Sequence, residues 1–269
     1  MTMTSEENTN SNAIPNPEAQ ITYQKNWEYE QSIKKEEAGK IPLICLEEDI
    51  KSLYSEYENG SETYRSKIKK LAEKHSKIRR CRGDGNCFYR GTFGFAWFER
   101  LMMCNNQNLR QAALKSFADT KDLLKSMGYE LFVYEVSYEE VEDRLKAVCN
   151  GEHVGETLLS IFQNDEVSNH IVWYLRAITA AYLKKHREEY EPFIEYGLEM
   201  DQYCANCVEV MAQEADHIHV IALTKALKVP VEIAYMSGSE ILDEEPLTLK
   251  PLVLLYRPGH YDILYRNEF

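Results

Sequence analysis

The stretch Leu252-Val-Leu-Leu-Tyr-Arg-Pro-Gly-His-Tyr-Asp-Ile-Leu-Tyr265 decides the fold of this 269-residue chain. A short apolar run, a turn at 257–259 and a second apolar-rich run predict a β-hairpin over 252–265. A further strand is predicted at 229–235, where apolar and polar residues alternate. The predicted strands therefore lie near the C-terminal end of the chain.

Helical patterns fill most of the chain before these strands. They are predicted at 46–58, 61–76, 109–127, 138–149, 154–163, 168–188 and 214–228, and a run that looks buried on every side lies at 87–103. Many helices followed by a few strands predict an α+β domain, with a small sheet covered by helices.

The first 40 residues differ in composition from the rest. Residues 1–20 are polar with almost no bulky apolar groups, so we expect a disordered tail there. Residues 21–38 carry aromatic and aliphatic side chains four apart and predict a marginal helix. We therefore expect residues 1–40 to be a flexible arm, whose aromatic groups dock either on this chain or on a partner.

The charge balance limits the classes of partner. The chain has 44 acidic and 31 basic residues and a formal net charge of −13. A groove for phosphate backbones would have to be built against this field, so we expect no nucleic acid and favour basic peptides or proteins. No stretch of about 18 residues is free of charge, so no membrane span is expected.

The cysteines indicate a reducing compartment. There are seven, an odd number with irregular spacings, which is typical of free thiols in the cytoplasm or the nucleus. The N-terminal residues lack the basic and apolar regions of a signal peptide, which agrees with that expectation. One of these thiols could be a nucleophile.

The loop Arg82-Gly-Asp-Gly-Asn-Cys-Phe-Tyr-Arg90 places one cysteine in a context suited to catalysis. The residues after Cys87 are apolar on nearly every side, which is typical of a buried helix. Cys87 would lie in its first turn, where unsatisfied N–H groups and the helix dipole stabilise a thiolate. The glycines let the preceding backbone fold tightly, so that its N–H groups could converge as an oxyanion hole requires.

The second stretch of interest is on the last predicted strand. His260 and Asp262 would point to one face and Tyr261 to the other. Asp262 could then accept a hydrogen bond from one imidazole nitrogen and leave the other to face a thiol, as in a Cys–His–Asp triad. Many strands carry His-x-Asp by chance, and a lone cysteine is usually an inert core residue. These residues alone leave both interpretations open.

Metal and cofactor motifs are incomplete. Asp84-x-Asn86 begins like a calcium loop, but Phe95 occupies the position of the bidentate glutamate. The glycines around Asp84 lack the third glycine of a dinucleotide fingerprint. Cys204 and Cys207 make half a zinc site without a second cysteine pair, so structural thiols are expected there. We expect neither a metal nor a cofactor.

Together the two motifs resemble a known family. Asp84-Gly-Asn-Cys-Phe-Tyr-Arg90 and Pro258-Gly-His-Tyr-Asp-Ile-Leu-Tyr265 are similar to the motifs of the otubains, ubiquitin-removing cysteine proteases of the ovarian-tumour (OTU) class. Asp216-His-Ile-His-Val-Ile-Ala-Leu223 also fits, and the resemblance spans roughly residues 45–265. It implies a papain-like catalytic domain of the OTU type at 41–269, with a small twisted β-sheet flanked by helices.

The resemblance also implies roles for individual residues. Cys87 would be the nucleophile, His260 the general base and Asp262 the group that orients it. Asp84 matches the active-site aspartate of the family. The loop that would contribute the oxyanion hole is completed by Gly85 and Asn86.

The implied reaction is hydrolysis of the isopeptide bond between the C-terminus of ubiquitin and a lysine. Otubains generally favour the lysine linkage that marks proteins for the proteasome. The implied partners are ubiquitin, polyubiquitin and a ubiquitin-conjugating enzyme. The alternative function is a non-catalytic inhibitor of such an enzyme, with residues 21–38 ordering on ubiquitin, and a general peptide protease is a more distant third.

The chain departs from the family pattern near the nucleophile. Cys87-Phe-Tyr-Arg-Gly-Thr-Phe-Gly-Phe95 is one residue longer than the otubain pattern. An inserted residue turns a helix by about 100°, so a local bulge is predicted near Gly91-Thr92. Gly83 stands where the family has proline, which predicts a more mobile loop.

Overall fold

The computed structural model describes residues 39–57, 62–152, 155–194, 197–235, 238–242 and 249–267. The strands in these ranges are β1 (Ile44–Asp49), β2 (His75–Cys81), β3 (Val231–Tyr235), β4 (Gly238–Leu242), β5 (Leu252–Arg257) and β6 (His260–Arg266). The α-helices are α1 (Ser52–Glu56), α2 (Glu62–Lys74), α3 (Ala96–Met103), α4 (Gln107–Ala118), α5 (Thr120–Ser126), α6 (Leu131–Asn150), α7 (Gly155–Gln163), α8 (Asp165–Lys185), α9 (Arg187–Tyr190), α10 (Met200–Tyr203) and α11 (His217–Leu227). Phe88–Phe95 and Cys204–Val208 are π-helical, and Glu191–Phe193 is a 3-10 turn. The predicted tail and helix at 1–38 lie outside the described residues.

The described strands form one sheet in the order β1-β2-β6-β5-β3-β4. Neighbours are antiparallel except β3 and β5, which run parallel. β5 and β6 are the predicted hairpin, in which Arg257 pairs with His260 across the turn Pro258-Gly259. Gly259 has a φ of +72°, a conformation that favours glycine, and this tight turn fixes the register of β6.

Helices cover both faces of the sheet, as the α+β expectation requires. The larger core lies between one face and the π-helix at 88–95 with α3, α6 and α8, and it includes Trp97 and Ile233. A smaller core on the opposite face joins the strands to α1 and α2 through Leu53 and Ile68. The prediction of a small sheet flanked by helices is confirmed. The expected alternation over 229–235 is wrong in detail, because both faces are covered and Glu232 is buried as well.

The sheet also contains two strands from the first third of the chain, β1 and β2, that the sequence patterns did not predict. Residues 46–49 and 75–76, predicted to be helical, lie in β1 and β2. Their charges are satisfied across the strand pair: Lys77 Nζ lies 2.7 Å from Glu47 Oε2, and Arg80 Nε lies 2.7 Å from Glu48 Oε1. Because the partners are about 30 residues away, the charged run looks like the exposed face of a helix when read locally.

Capping side chains set the ends of several helices. Asn106 and Asn164 each accept hydrogen bonds from two N–H groups at the start of α4 and α8. Asp216 and His219 form a reciprocal capping box at the start of α11. The single helix predicted at 109–127 is divided into α4 and α5 around Asp119, and α6 begins at Leu131, earlier than the predicted residue 138. Within the described ranges, no helix combines the length and apolar character needed to cross a membrane.

Candidate active site

Cys87 lies at the N-terminal end of the π-helix, at the end of the loop that follows β2. Its side chain is buried in the larger core, where only 3% of the residue is exposed. The neighbouring Phe88 ring packs on Tyr261 of β6, with ring centroids 5.6 Å apart. This contact ties the start of the helix to the strand that carries His260.

The segment after Cys87 is π-helical. The predicted bulge near Gly91-Thr92 takes this form, a wider turn running from Phe88 to Phe95. Thr92 Oγ1 donates to the backbone oxygen of Phe88 at 3.1 Å. A Cβ on Gly91 would lie 2.2 Å from Cys81 Sγ, so the close approach of this turn to β2 requires glycine.

His260 stands at the first position of β6 and reaches both partners of a triad. Its Nε2 lies 3.0 Å from Asp262 Oδ1, which leaves Nδ1 to meet Cys87. Burial disfavours the imidazolium, but the hydrogen bond to Asp262 and the interaction with Cys87 outweigh it and raise the pKa of His260 to about 10. The imidazolium is thus the favoured form through neutral pH.

Asp262 is completely buried and is held as an anion. Oδ1 accepts from the Cys81 N–H at 3.0 Å and meets His260, while Oδ2 is paired with Arg257 and lies 3.7 Å from Arg80 Nη1. Burial raises the pKa of the carboxyl, but His260, Arg257 and the Cys81 N–H reverse this and leave the pKa lowered. Asp262 can therefore orient His260 without taking its proton.

Asp84 shapes the loop before the nucleophile. Asp84 Oδ1 accepts from the Asn86 N–H at 2.8 Å, and Oδ2 pairs with Arg90 Nη2 at 3.1 Å. Gly85 has a φ of +75°, and a Cβ there would lie 2.1 Å from the backbone oxygen of Ala212. The carboxylate of Asp84 thus closes a tight turn, in which the Asn86 N–H is already engaged.

Arg176 of α8 joins this loop to the loop at 208–213. The arginine is fully buried, and its Nη2 donates to Gly85 O at 2.9 Å, to Asn86 Oδ1 at 2.9 Å and to Gln213 O at 2.7 Å. Its Nη1 donates to Val208 O at 2.9 Å. Sequence reasoning missed Arg176, although an arginine within the strongly apolar pattern of 168–188 is a signal for a buried structural cation.

The six candidate residues for the catalytic site lie together in the structure. Cys87, His260 and Asp262 are brought together, and Asp84, Gly85 and Asn86 form the turn beside them. The groups that sequence reasoning missed are mainly arginines that hold these side chains. They are Arg80, Arg90, Arg176 and Arg257.

Of the other thiols, Cys81 and Cys45 lie near Asp262, and burial together with the charge of Asp262 raises the pKa of both. All seven cysteines are free, and Cys204 Sγ is buried 3.7 Å from both Ala180 O and Met200 Sδ. In the part of the chain that the structure describes, no group of three or more His, Cys, Asp or Glu side chains could hold a metal ion. The reactive groups that the site brings together are the Cys87 thiol and the His260 imidazole, a pair suited to nucleophilic catalysis.

The sequence matches proteins of one family. The model of the family Peptidase C65 Otubain matches residues 36–266. Ubiquitin thioesterase OTUB1 of Homo sapiens is 38% identical over 239 residues, which are 87% of this chain and 87% of that protein. Ovarian tumor domain-containing deubiquitinating enzyme 1 of Arabidopsis thaliana is 33% identical over 259 residues, covering 87% of this chain and 84% of the relative.

Solved structures agree with the sequence matches. A complex of ceOTUB1 with ubiquitin aldehyde and UBC13~Ub has a TM-score of 0.80 and 31% identity, and covers 88% of this chain and 98% of that chain. A complex of h/ceOTUB1 with ubiquitin aldehyde and UBCH5B~Ub has a TM-score of 0.82 and 30% identity, and covers 92% of this chain and 100% of that chain. The resemblance seen in the sequence is confirmed, and the chain belongs to the otubain family of OTU-type cysteine peptidases.

Proposed function

We propose that this chain is a deubiquitinase that hydrolyses the isopeptide bond between the C-terminus of ubiquitin and a lysine. The observation that carries the proposal is the alignment of Cys87, His260 and a buried, anionic Asp262 at one end of the sheet. Relatives that are 33–38% identical over most of the chain are named as ubiquitin thioesterases or deubiquitinating enzymes. These names support ubiquitin as the substrate.

In the first half of the reaction Cys87 is the nucleophile. Its sulfur attacks the carbonyl carbon of the terminal glycine of ubiquitin, and the carbonyl oxygen becomes an oxyanion. The imidazolium of His260 then gives its proton to the lysine nitrogen as the C–N bond breaks. The products of this step are a thioester on Cys87 and a free amine.

In the second half His260 works as a base. A water molecule gives a proton to the imidazole and attacks the thioester carbon. The Cys87 sulfur leaves as a thiolate, and ubiquitin is released as a carboxylic acid that loses its remaining proton to solvent. Asp262 stabilises the imidazolium in both halves, because its lowered pKa keeps the carboxylate charged throughout.

The oxyanion is stabilised by the loop at 84–87. The Asn86 N–H is engaged by Asp84, so we assign this role to the N–H groups of Gly85 and Cys87. Asp84 and Asn86 would then act by fixing the turn rather than by touching the substrate. A preference for the linkage that marks proteins for the proteasome is also proposed, and its support is the resemblance to otubains.

The direct test is cleavage of a panel of ubiquitin dimers of defined linkage. We expect cleavage by the native protein and none by Cys87→Ala. Cys104→Ala is the matched control, since it removes a partly exposed thiol that lies outside the site. Cleavage that survives Cys87→Ala, or a native protein that cleaves no dimer, would overturn the proposal.

A second function, binding of a ubiquitin-conjugating enzyme, is favoured by an apolar surface at the start of α6. Four neighbouring large apolar residues are exposed there: Leu131, Phe132, Val133 and Val136. Such a patch on an acidic protein is typical of a protein-docking surface. Solved complexes of ceOTUB1 and h/ceOTUB1 contain UBC13~Ub or UBCH5B~Ub, which supports this class of partner.

This second function is tested without the catalytic thiol. In the Cys87→Ala background, Phe132→Ser should weaken binding to a ubiquitin-charged conjugating enzyme by at least about tenfold. Phe193→Ser is the matched control, because Phe193 is also a largely exposed phenylalanine, 67% against 79% for Phe132, on a different element. Equal binding of the charged conjugating enzyme by both variants would contradict the assigned surface. A second test is deletion of residues 1–40. If inhibition of the conjugating enzyme stays unchanged after this deletion, the role expected for residues 21–38 is refuted.

A further inference from the structure

Behind the triad, four charged side chains close a ring. Asp262 lies between two arginines, and both arginines reach the same carboxylate, Glu56, at the end of α1. We propose that Glu56 and Arg257 are positioning residues that, with Arg80, hold the Asp262 carboxylate in line with His260. This inference rests on the proposed hydrolase function and adds to it.

Each arginine of the ring contacts its carboxylate partners through different nitrogen atoms. Arg257 directs Nη2 to Asp262 Oδ2 and Nη1 to Glu56 Oε2, the second contact at 3.1 Å. Arg80 directs Nη1 to Asp262 Oδ2 at 3.7 Å and Nη2 to Glu56 Oε1. The remaining Arg80 Nε donates to Glu48 Oε1 at 2.7 Å. Each guanidinium therefore bridges Asp262 to Glu56 with two different nitrogens, a geometry that suits arginine better than lysine.

The inner members of the ring are carried by neighbouring strands of the sheet. Arg80 is on β2 and Arg257 on β5, the two strands that flank β6 and its Asp262. The exposed fraction of the side chain rises outward, from 0% for Asp262 and 14% for Arg80 to 22% for Arg257 and 42% for Glu56. Glu56 is thus the accessible member, and changing it need not disturb the core.

The ring also balances charge at the triad. Its two carboxylates and two guanidiniums are formally neutral, so removing Glu56 leaves one excess positive charge and removing Arg257 one excess negative charge. Other titratable or charged groups lie near the ring or near the His260–Asp262 pair, and they include Cys45, Glu48, Tyr57, Cys81, Cys87 and Glu214. None of these is altered when Glu56 or Arg257 is replaced.

Two variants should therefore move the pH profile in opposite directions. In Glu56→Gln the excess positive charge disfavours the imidazolium, so the profile of kcat/KM should shift to lower pH by on the order of half a unit. In Arg257→Met it should shift to higher pH by a similar amount, and kcat should fall about tenfold because Asp262 loses its closest cation. KM should stay within about twofold in both, since neither residue touches substrate.

Conservative and matched variants separate positioning from a structural role. Arg257→Lys keeps the charge but cannot bridge the two carboxylates with two nitrogens, so it should retain the native pH profile while recovering only part of the lost kcat. Glu140→Gln removes the same charge from an ion pair with Arg144 on α6 and should change neither. A ring that merely stabilised the fold would lower activity without moving the limbs of the profile.

A second measurement keeps this inference distinct from the proposed function. The rate at which iodoacetamide alkylates Cys87, followed by peptide mass spectrometry against pH, reports the Cys87–His260 pair without any ubiquitin. We expect the same opposite shifts there, even if the native protein cleaves no dimer. Alkylation profiles of Glu56→Gln and Arg257→Met that coincide with the native profile would overturn the inference, whereas absence of cleavage alone would overturn only the hydrolase.

Discussion

Replacing Gly91 by alanine tests how closely the π-helix packs against the sheet. Gly91 lies in the middle of Phe88–Phe95, and an added Cβ would come to 2.2 Å from Cys81 Sγ on β2. Gly91 does not have a positive φ, so alanine brings no backbone strain. In a helix without this neighbour, the change would stabilise the fold by up to about 1 kcal/mol.

The clash determines the sign and the size of the effect. The gap would have to widen from 2.2 Å to about 3.4 Å for an ordinary contact. Cys81 is buried on a strand between two others, so neither side can yield freely. Overpacking of a well-filled core costs about 1–3 kcal/mol, and we expect Gly91→Ala to lower the free energy of unfolding by about 3 kcal/mol.

A double-mutant cycle isolates the contact. Cys81→Ala should cost about 1 kcal/mol, because it deletes one buried atom. It removes Sγ and leaves the new Cβ 3.1 Å from the Cβ of residue 81, a distance that a shift of a few tenths of an ångström relieves. The double variant should therefore be only about as destabilised as Cys81→Ala alone. Urea unfolding followed by circular dichroism measures all four proteins.

A specific result would refute this reasoning. If the two single effects simply add, with a coupling energy below about 0.5 kcal/mol, the π-helix does not contact β2 as described. Gly128→Ala is the control for loss of glycine as such. Gly128 has a φ of +82° but an added Cβ would meet nothing within 4 Å, so its cost of about 1 kcal/mol should not depend on Cys81.

Three further predictions concern the site. Asp262→Asn should lower kcat by about 10³–10⁴-fold while leaving the circular dichroism spectrum unchanged, because the imidazolium loses its counter-charge; a loss below tenfold would contradict the orienting role. The pKa of His260 is raised to about 10, so the imidazolium persists as pH rises, and the alkaline limb of kcat/KM should lie above about pH 9 in the native protein; a limb near 6.5, the ordinary value for histidine, would show that the pair does not form. Arg176→Met leaves the buried carbonyls of both loops without their donor and should reduce the free energy of unfolding by about 3–5 kcal/mol. Arg144→Met, at a partly exposed arginine of α6, is the control, and an equal loss of stability in both variants would argue against this anchoring role.

The sequence alone predicted the local features of the site well. The hairpin follows from two apolar runs around Pro258-Gly259, and the alternation of a strand puts His260 and Asp262 on one face. The extra residue near Gly91-Thr92 predicted a bulge, and the π-helix provides it. These features depend on short-range rules of backbone geometry, which a single sequence contains.

Long-range charge pairing could not be predicted in the same way. Glu47 and Glu48 look helical because their partners, Lys77 and Arg80, are about 30 residues further along. Arg257 belongs to the hairpin motif, but its second partner, Glu56, is 201 residues away in sequence. The charged residues that hold the triad come together only when distant parts of the chain fold onto one sheet, so they are visible in the structure and not in the sequence.

The alternation along β6 has a consequence for folding fidelity. His260 and Asp262 face the charge ring, while Tyr261 between them packs on Phe88 in the core of the opposite face. A slip of one residue in the pairing of β6 would exchange the two faces and place the Tyr261 ring among the arginines. Molecules that refolded in such a register would be compact yet catalytically dead, so titration of the reactive thiol counts correctly folded molecules, whereas a spectrum of secondary structure counts all of them.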